Sequence, residues 1–441
     1  MRKVLAILAA LVGFVGIGLV AVPGAGAAMH TRLWVSNSAP LAAAPGTSCA
    51  HPGYSTIQSA INAAGNFGAT VEVCSGTYTE QLTISNSVAL VASGGAATVK
   101  LPSTPANSTT SCDTAVNTRY STTNQDEISI CGPIAVGLSG LTVQALFPGA
   151  PNCAPSFNGI NIGGGAKLSA TGVTVDGAGA VPINGCQQGI GIQVGTTGLT
   201  PASAGVGIAT LKGVTVSGYQ KNGITVDGAG SSASITKTTV TGAGPTTQIA
   251  QNGIQVSSGA QATIKSSTIT GNECNNASCG PDSLTSSQST GVLFFGAAAG
   301  SSLSSSKLSG NDIGVYYISQ AATEPASSEV LITKDTFTGN RFEGIALDQG
   351  VASVTSDTVN GSGNVGIQVL QYSGQAYADA STASHVKISS QGVGVQVHSD
   401  NAATGDFPGV FAIDHSKFLT GNTIGIQNNS ANYTIHQTSN H

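Results

Sequence analysis

The chain repeats a short pattern of apolar and polar positions. From Asn252 to Asn272 it reads NGIQVSSGAQATIKSSTITGN, with apolar pairs at Ile254/Val256 and Ala262/Ile264 and a third apolar site at Ile269. Gly, Ser, Asn and Lys turns separate these sites. Alternation over runs this short predicts strands with one buried face. The same order recurs upstream from Asn222 to Gly242, and downstream at Ile313, Glu343, Val365, Val393 and Ile424. TGN or SGN precedes most copies, ending on Asn272, Asn311, Asn340 and Asn422. Self-similarity with a period of roughly 20–50 residues predicts a solenoid, in which each unit buries its apolar face only against its neighbours.

Ahead of these repeats, Ile57, Ala60, Ile61 and Ala64 fall on one stripe of a helix. Ser55 is the expected N-cap and Gly65 the stop. Three strands should follow, at Val71/Val73, Leu82/Ile84 and Val88/Leu90. The open end of a solenoid exposes unpaired strands and an apolar cross-section, which a short amphipathic helix covers. The run TIQSAINAA, then VEVCSGTY, then the two apolar pairs, resembles the opening of right-handed parallel β-helix proteins of the pectin-lyase-like superfamily. The later NGI-V and T-TGN units are similar to that superfamily's generic repeats. The resemblance implies an all-β fold over residues 49–441, a right-handed parallel β-helix with a short N-terminal capping helix at about 49–70. The hand agrees with the rule for parallel crossovers.

Only 8% of the 441 residues are charged and 5% aromatic, while glycine occurs 59 times. A compact domain usually carries about a quarter charged residues. Here Ser, Thr, Asn and Gly supply the polar surface, as stacked strands and tight turns require. Arginine occurs only at Arg2, Arg32, Arg119 and Arg341, and the net charge is -5. Without a basic cluster, nucleic acid is not an expected partner. Arg2 and Lys3 precede an apolar run from Val4 to Val22, and Ala25-Gly26-Ala27 offers a small-residue cleavage site. Residues 1–27 therefore read as a signal peptide and 28–48 as a linker, which makes the protein secreted. An uncleaved N-terminal anchor is the rival reading. No later stretch is apolar enough to span a bilayer. The eight cysteines favour disulfides in an exported chain. Sequence leaves their connectivity open. Nearest pairing would give Cys49–Cys74, Cys112–Cys131, Cys153–Cys186 and Cys274–Cys279. No metal-ligand spacing is present. Calcium between Asp335 and Asp357 is conceivable but not indicated.

Insertions between repeats fall into two sets. One follows the T-x-TG turn, at about 145–158, 177–188, 243–251 and 273–290. The other follows the GI-V strand, at 196–206, 318–328, 371–384 and 399–410. Stacking places each set on one edge of the solenoid, where binding faces commonly lie. The coil from Gly344 to Val351 lacks an insertion, so a notch is expected above Ile345–Asp348. Around it stand Arg341, Glu343 and Asp348 as candidate catalytic groups, and Tyr316, Tyr372 and His398 as candidate substrate contacts. Carboxylates with aromatics suit a sugar site. The motifs that the resembling enzymes would carry are absent: NTD, DD, GHG and RIK of galacturonan hydrolases, the Arg-rich site of pectate lyases, and DPH of the epimerases. The expectation is a non-catalytic extracellular or cell-surface module whose partner is a polysaccharide or cell-wall glycan. A lyase or hydrolase acting in the notch is the alternative. The Gln193, Gln255, Gln368, Gln396 and Gln427 column and the asparagine column read as side chains stacked along the solenoid. The oligomeric state is not encoded in any feature found.

Overall fold

The computed structural model describes residues 31–65, 68–120, 122–148, 153, 155–282, 285–325, 329–372, 375–389, 392–400, 408–419 and 421–441. The signal-peptide reading of residues 1–27 lies outside them. Among the described residues, 24 strands form one sheet and 12 a second. A coil contributes one strand to the smaller sheet and two to the larger, as in Asn252–Ser257, Gln261–Lys265 and Thr268–Cys274. Each strand pairs in parallel with its counterpart one coil on. Ile224 meets Ile254, then Val292, Val315, Ile345, Ile367, Val395 and Ile426 follow in register. Coils lie ~4.8 Å apart, so like side chains touch and interlock inside the coil. Ile254, Val315, Ile345 and Ile367 expose no surface. The architecture is the expected all-β parallel β-helix.

Two local rules shape each coil. From Ile190–Val194 onward the strands of the smaller sheet carry glycine after their first residue: a Cβ on Gly344 would lie 2.4 Å from Val359 Cγ1 and 2.7 Å from the Gly366 carbonyl oxygen. The turn between the two strands of the larger sheet needs a left-handed residue. Lys237, Ser266, Ser305, Lys334, Ser356, His385 and His415 fill that turn in successive coils with φ between 44° and 62°.

The N-terminal end is closed by helix α1 (Ile57–Ala64), which buries Ile57, Ala60, Ile61 and Ala64. Its N-cap is Thr56 rather than Ser55, with Oγ1 accepting from Ser59 N at 3.2 Å. Glu80 accepts from Ile57 N and Gln58 N at 2.9 and 3.0 Å, placing a carboxylate at the positive helix end. Gln58 exchanges two hydrogen bonds with the Thr83 backbone, at 2.8 and 3.0 Å, and so satisfies the edge strand Leu82–Ile84. The span expected as a linker contains a further strand. Arg32–Val35 pairs in parallel with Ala69–Thr79 and buries Leu33 and Val35. Its alternation is only four residues long and sits in Ala- and Pro-rich surroundings, which hid it.

The cysteines pair as Cys49–Cys74, Cys112–Cys131, Cys153–Cys186 and Cys274–Cys279. Cys112–Cys131 fastens a second helix, α2 (Ser111–Tyr120), to the strand Asn124–Cys131. No apolar stripe announces α2. It is nucleated by a reciprocal cap, in which Thr110 N donates to Asp113 Oδ2 at 3.1 Å and Asp113 N to Thr110 Oγ1 at 3.2 Å.

Candidate binding site

The structure separates the residues expected to form one notch. Glu343 and Asp348 stand five residues apart on the strand Glu343–Asp348, which is ~16 Å at ~3.3 Å per residue. Glycosidase carboxylate pairs lie about 5–9.5 Å apart. Glu343 is fully buried, with Gln288 Nε2 3.5 Å from Oε2. Arg341 is engaged at the preceding coil, its Nη2 2.7 Å from Asp312 Oδ1 and also donating to the Cys274 carbonyl. Its guanidinium lies 4.3 Å from the Phe342 ring centroid. His398 stands two coils from Asp348, with Leu370 between, and its Nε2 lies 3.1 Å from Asp282 Oδ1.

Only Tyr316 and Tyr372 join Asp348. Their phenols donate to Oδ2 at 3.0 and 3.4 Å, and Gln375 Nε2 donates to Oδ1 at 3.0 Å. Asp348 is 2% exposed, so the strand end is covered where an open notch was expected. Burial pushes its carboxyl above the ordinary range, and the three donors pull it back. The cause of the difference is the inserted segment itself. Loop length says where the chain leaves the coil, but Gln375 and Tyr372 bring it back over the strand end.

The open polar surface lies nearer the N-terminus, on the outer face of the smaller sheet. A groove of about 360 Å³ runs over Asn158, Asn161, Gln193, Asn222, Thr225 and Gln255. Their strand neighbours Ile160, Ile162, Ile192, Ile224 and Ile254 point into the core. Two hydrogen-bonded networks underlie the floor, one at each end. Asn252 Nδ2 donates to Asn222 Oδ1 at 3.1 Å, Asn222 Nδ2 to Gln255 Oε1 at 3.1 Å, and Gln255 Nε2 to Ser257 Oγ at 3.1 Å. Ser257 Oγ and Thr197 N then hold the two oxygens of Asp227, each at 2.8 Å. At the other end Asn124 and Asn161 each bridge Asp113 and Asp126, with bonds of 2.9–3.2 Å. Burial pushes the Asp126 carboxyl well up, and the Asp113 carboxylate beside it pushes further. Tyr120 of α2 and Phe295 also line the groove and remain 45% and 41% exposed.

Sequence reasoning assigned the Gln193 and Gln255 positions to stacking. That assignment describes the far end of the column, where Gln368 donates to Gln396 at 3.3 Å and Gln396 to Gln427 at 3.0 Å. The overlooked signal was the cluster of outward asparagines at 158, 161, 222 and 252 beside the insertions 177–188 and 196–206. A larger cavity of about 760 Å³ lies against α2, lined by Cys112, Pro133, Pro201 and Ala204. Its one charged lining group, Arg119, already donates to the Gly198 carbonyl at 3.0 Å. Few polar groups converge there, so the smaller groove is the better-built site. Asp335 and Asp357 are each engaged by the backbone: Asp335 Oδ1 accepts from Ser306 N and Asp357 Oδ1 from Asp335 N, both at 2.6 Å. Among the described residues no three His, Cys, Asp or Glu side chains converge as a metal set.

A family model described as a right-handed β-helix region matches residues 197–383. The fold of this chain is a right-handed parallel β-helix. No curated protein matches it in sequence. The β-helix is similar to the catalytic domain of a GH87 α-1,3-glucanase solved in complex with tetrasaccharides, with a TM-score of 0.54 at 11% identity over 96% of this chain and 70% of that one. It is similar also to a mutant of the periplasmic alginate epimerase AlgG, with a TM-score of 0.51 at 10% identity over 85% of this chain and 77% of that one. At such identities the likeness is one of fold, and a shared fold carries no chemistry with it.

Proposed function

We propose that this β-helix protein is an exported, non-catalytic module that binds a polysaccharide along the outer face of its smaller sheet. The observation that carries the reading is the amide floor between two exposed rings. Sugar hydroxyls donate and accept at once, and so do Asn, Gln and Thr side chains. Exposed Tyr120 and Phe295 offer apolar faces for sugar rings. Polysaccharide-acting neighbours of the same fold agree with this class of partner. Export is supported by four disulfides, which persist in oxidising compartments. No helix among the described residues is long and apolar enough to cross a membrane.

The alternative, a lyase or hydrolase working at Asp348, is weakened by the burial of that carboxylate and by its distance from Glu343. The test is retention on a panel of immobilised polysaccharides, with the eluted polymer sized afterwards. Retention with unchanged polymer length is expected. Depolymerisation that disappears in Asp348→Asn would overturn the non-catalytic reading. Retention on none of the panel would overturn the binding reading.

A further inference from the structure

The groove's charge and spacing say more about its ligand, on the premise that the groove binds polysaccharide at all. Its lining includes one carboxylate, Asp227, and no Lys or Arg. Both Asp227 oxygens are held, by Ser257 Oγ and Thr197 N at 2.8 Å, so the charge is fixed in place. A hexuronate carboxylate entering here would meet like charge, and the cation beside Tyr120, Arg119, is outside the lining and donates to the Gly198 carbonyl at 3.0 Å.

A second observation points to what is accepted. Gln193 is 7% exposed and lines the groove, and its Nε2 donates to the Gly195 carbonyl. Its Oε1 is buried without a hydrogen-bond partner. Gln188, on the groove wall, also has an Oε1 without a partner. An unmatched buried acceptor is costly to leave empty, and a hydroxyl donor satisfies it.

The spacing fixes direction. The lining reaches from Asn124 on the strand Asn124–Cys131 to Phe295 on Thr290–Phe295, six consecutive strands of the smaller sheet. Coils repeat every ~4.8 Å, close to the advance of one pyranose in an extended chain. A polysaccharide lying along the solenoid axis therefore meets equivalent amide groups with each successive sugar.

We infer that the groove selects uncharged polysaccharide, bound along the helix axis at about one sugar per coil, and rejects polyuronides. The donor for Gln193 Oε1 is a sugar hydroxyl, and Asp227 supplies the discrimination against carboxylates. The experiment is calorimetric titration of the full chain with length-matched oligosaccharides, one series of uncharged hexoses in several linkages and one of hexuronic acids. Uncharged chains should bind with affinity that rises from trimer to about hexamer and then levels, because about six coils line the groove. Added salt should leave that affinity unchanged, since no ion pair forms. Gln193→Ala should weaken it about tenfold, as loss of one buried hydrogen bond does. Asp227→Asn should narrow the ratio of hexose to hexuronate affinity, which is the quantity read for this variant. Thermal melts confirm that each variant folds. Hexuronates bound as tightly as hexoses, or affinity indifferent to Gln193→Ala, would overturn the inference while leaving polysaccharide binding intact. Binding of neither series would overturn both.

Discussion

Asp348 shows how a charged residue in a charge-poor chain can be structural. It is 2% exposed and holds Tyr316, Tyr372 and Gln375 by three hydrogen bonds of 3.0–3.4 Å. Removing the carboxylate takes the acceptor from two half-buried phenols and from one of the Gln375 amide hydrogens, the other staying on the Leu370 carbonyl. A fully desolvated group would cost about 1–3 kcal/mol. Asp348→Ala should therefore lower unfolding stability by about 2–5 kcal/mol and leave oligosaccharide affinity unchanged. Chemical denaturation and titration on the same preparation separate the two effects. A stable variant with lost binding would return the site to the notch. Asn311 makes the same point inside the coil. Its Oδ1 accepts from Asn272 N and Nδ2 at 3.2 and 2.9 Å, and its own Nδ2 donates to Asn340 Oδ1 at 3.1 Å. Asn311→Ala breaks the ladder on both sides and should cost about 3 kcal/mol, read as a lowered denaturation midpoint at constant slope.

Elements show which parts of the fold were legible in the sequence. Strands of successive coils could be read because the same apolar positions recur and each is buried by its own copy, so one period describes both local and tertiary structure. Helix α1 was legible for the same reason, its stripe of Ile57, Ala60, Ile61 and Ala64 being the buried face. Helix α2 was not. Its formation depends on Thr110, on Cys131 and on the asparagines that donate to Asp113, contacts that no helical period encodes. The asparagine column was legible in part. Asn272, Asn311 and Asn340 stack, whereas Asn422 bonds to the carbonyls of Ile388 and Leu419 and Ser362 takes a place between. The candidate site was misplaced because insertions were read as walls of an open cleft. Gln375 closes that cleft, and the open surface falls where neighbouring strands present amides outward. The capping role of α1 is itself testable. Gln58→Ala removes two bonds to the Thr83 backbone and exposes the edge strand Leu82–Ile84. It should lower stability by about 1–2 kcal/mol and increase concentration-dependent association by edge pairing, which light scattering measures.

At the scale of the whole molecule, the scarcity of charge changes the response to pH. Most proteins lose stability in acid because paired carboxylates must take up protons. Few such pairs exist here; the described ion pairs of Asp or Glu with Arg are Arg32–Glu72 and Arg341–Asp312. The buried carboxyls instead lean the other way. Burial pushes Glu127 up to about 9, with the Glu80 carboxylate adding to it, and neither of its oxygens has a hydrogen-bond partner. Burial likewise raises Asp357 to about 8, and Asp335 and Asp379 to about 7. A carboxyl raised in the folded state contributes stability that is fully present below its ordinary range and lost as pH climbs through the raised value. Lys221 opposes this, its amine pushed down to about 8 by burial, so its contribution is lost as pH falls through that value. These four carboxyls, with Asp126 and Asp348 raised in the same direction, outweigh the one amine and decide the sign. Unfolding stability should be highest near pH 4–5 and fall steadily towards about pH 9, by several kcal/mol in all. Glu127 isolates one contribution, because it stands in register with Gly159, where the following coil has no side chain. Glu127→Gln keeps the shape and removes the proton. It should match the parent at pH 5 and exceed it at pH 9. Parallel curves for the two proteins would mean that Glu127 is hydrated in solution, and a midpoint rising with pH would reverse the whole assignment.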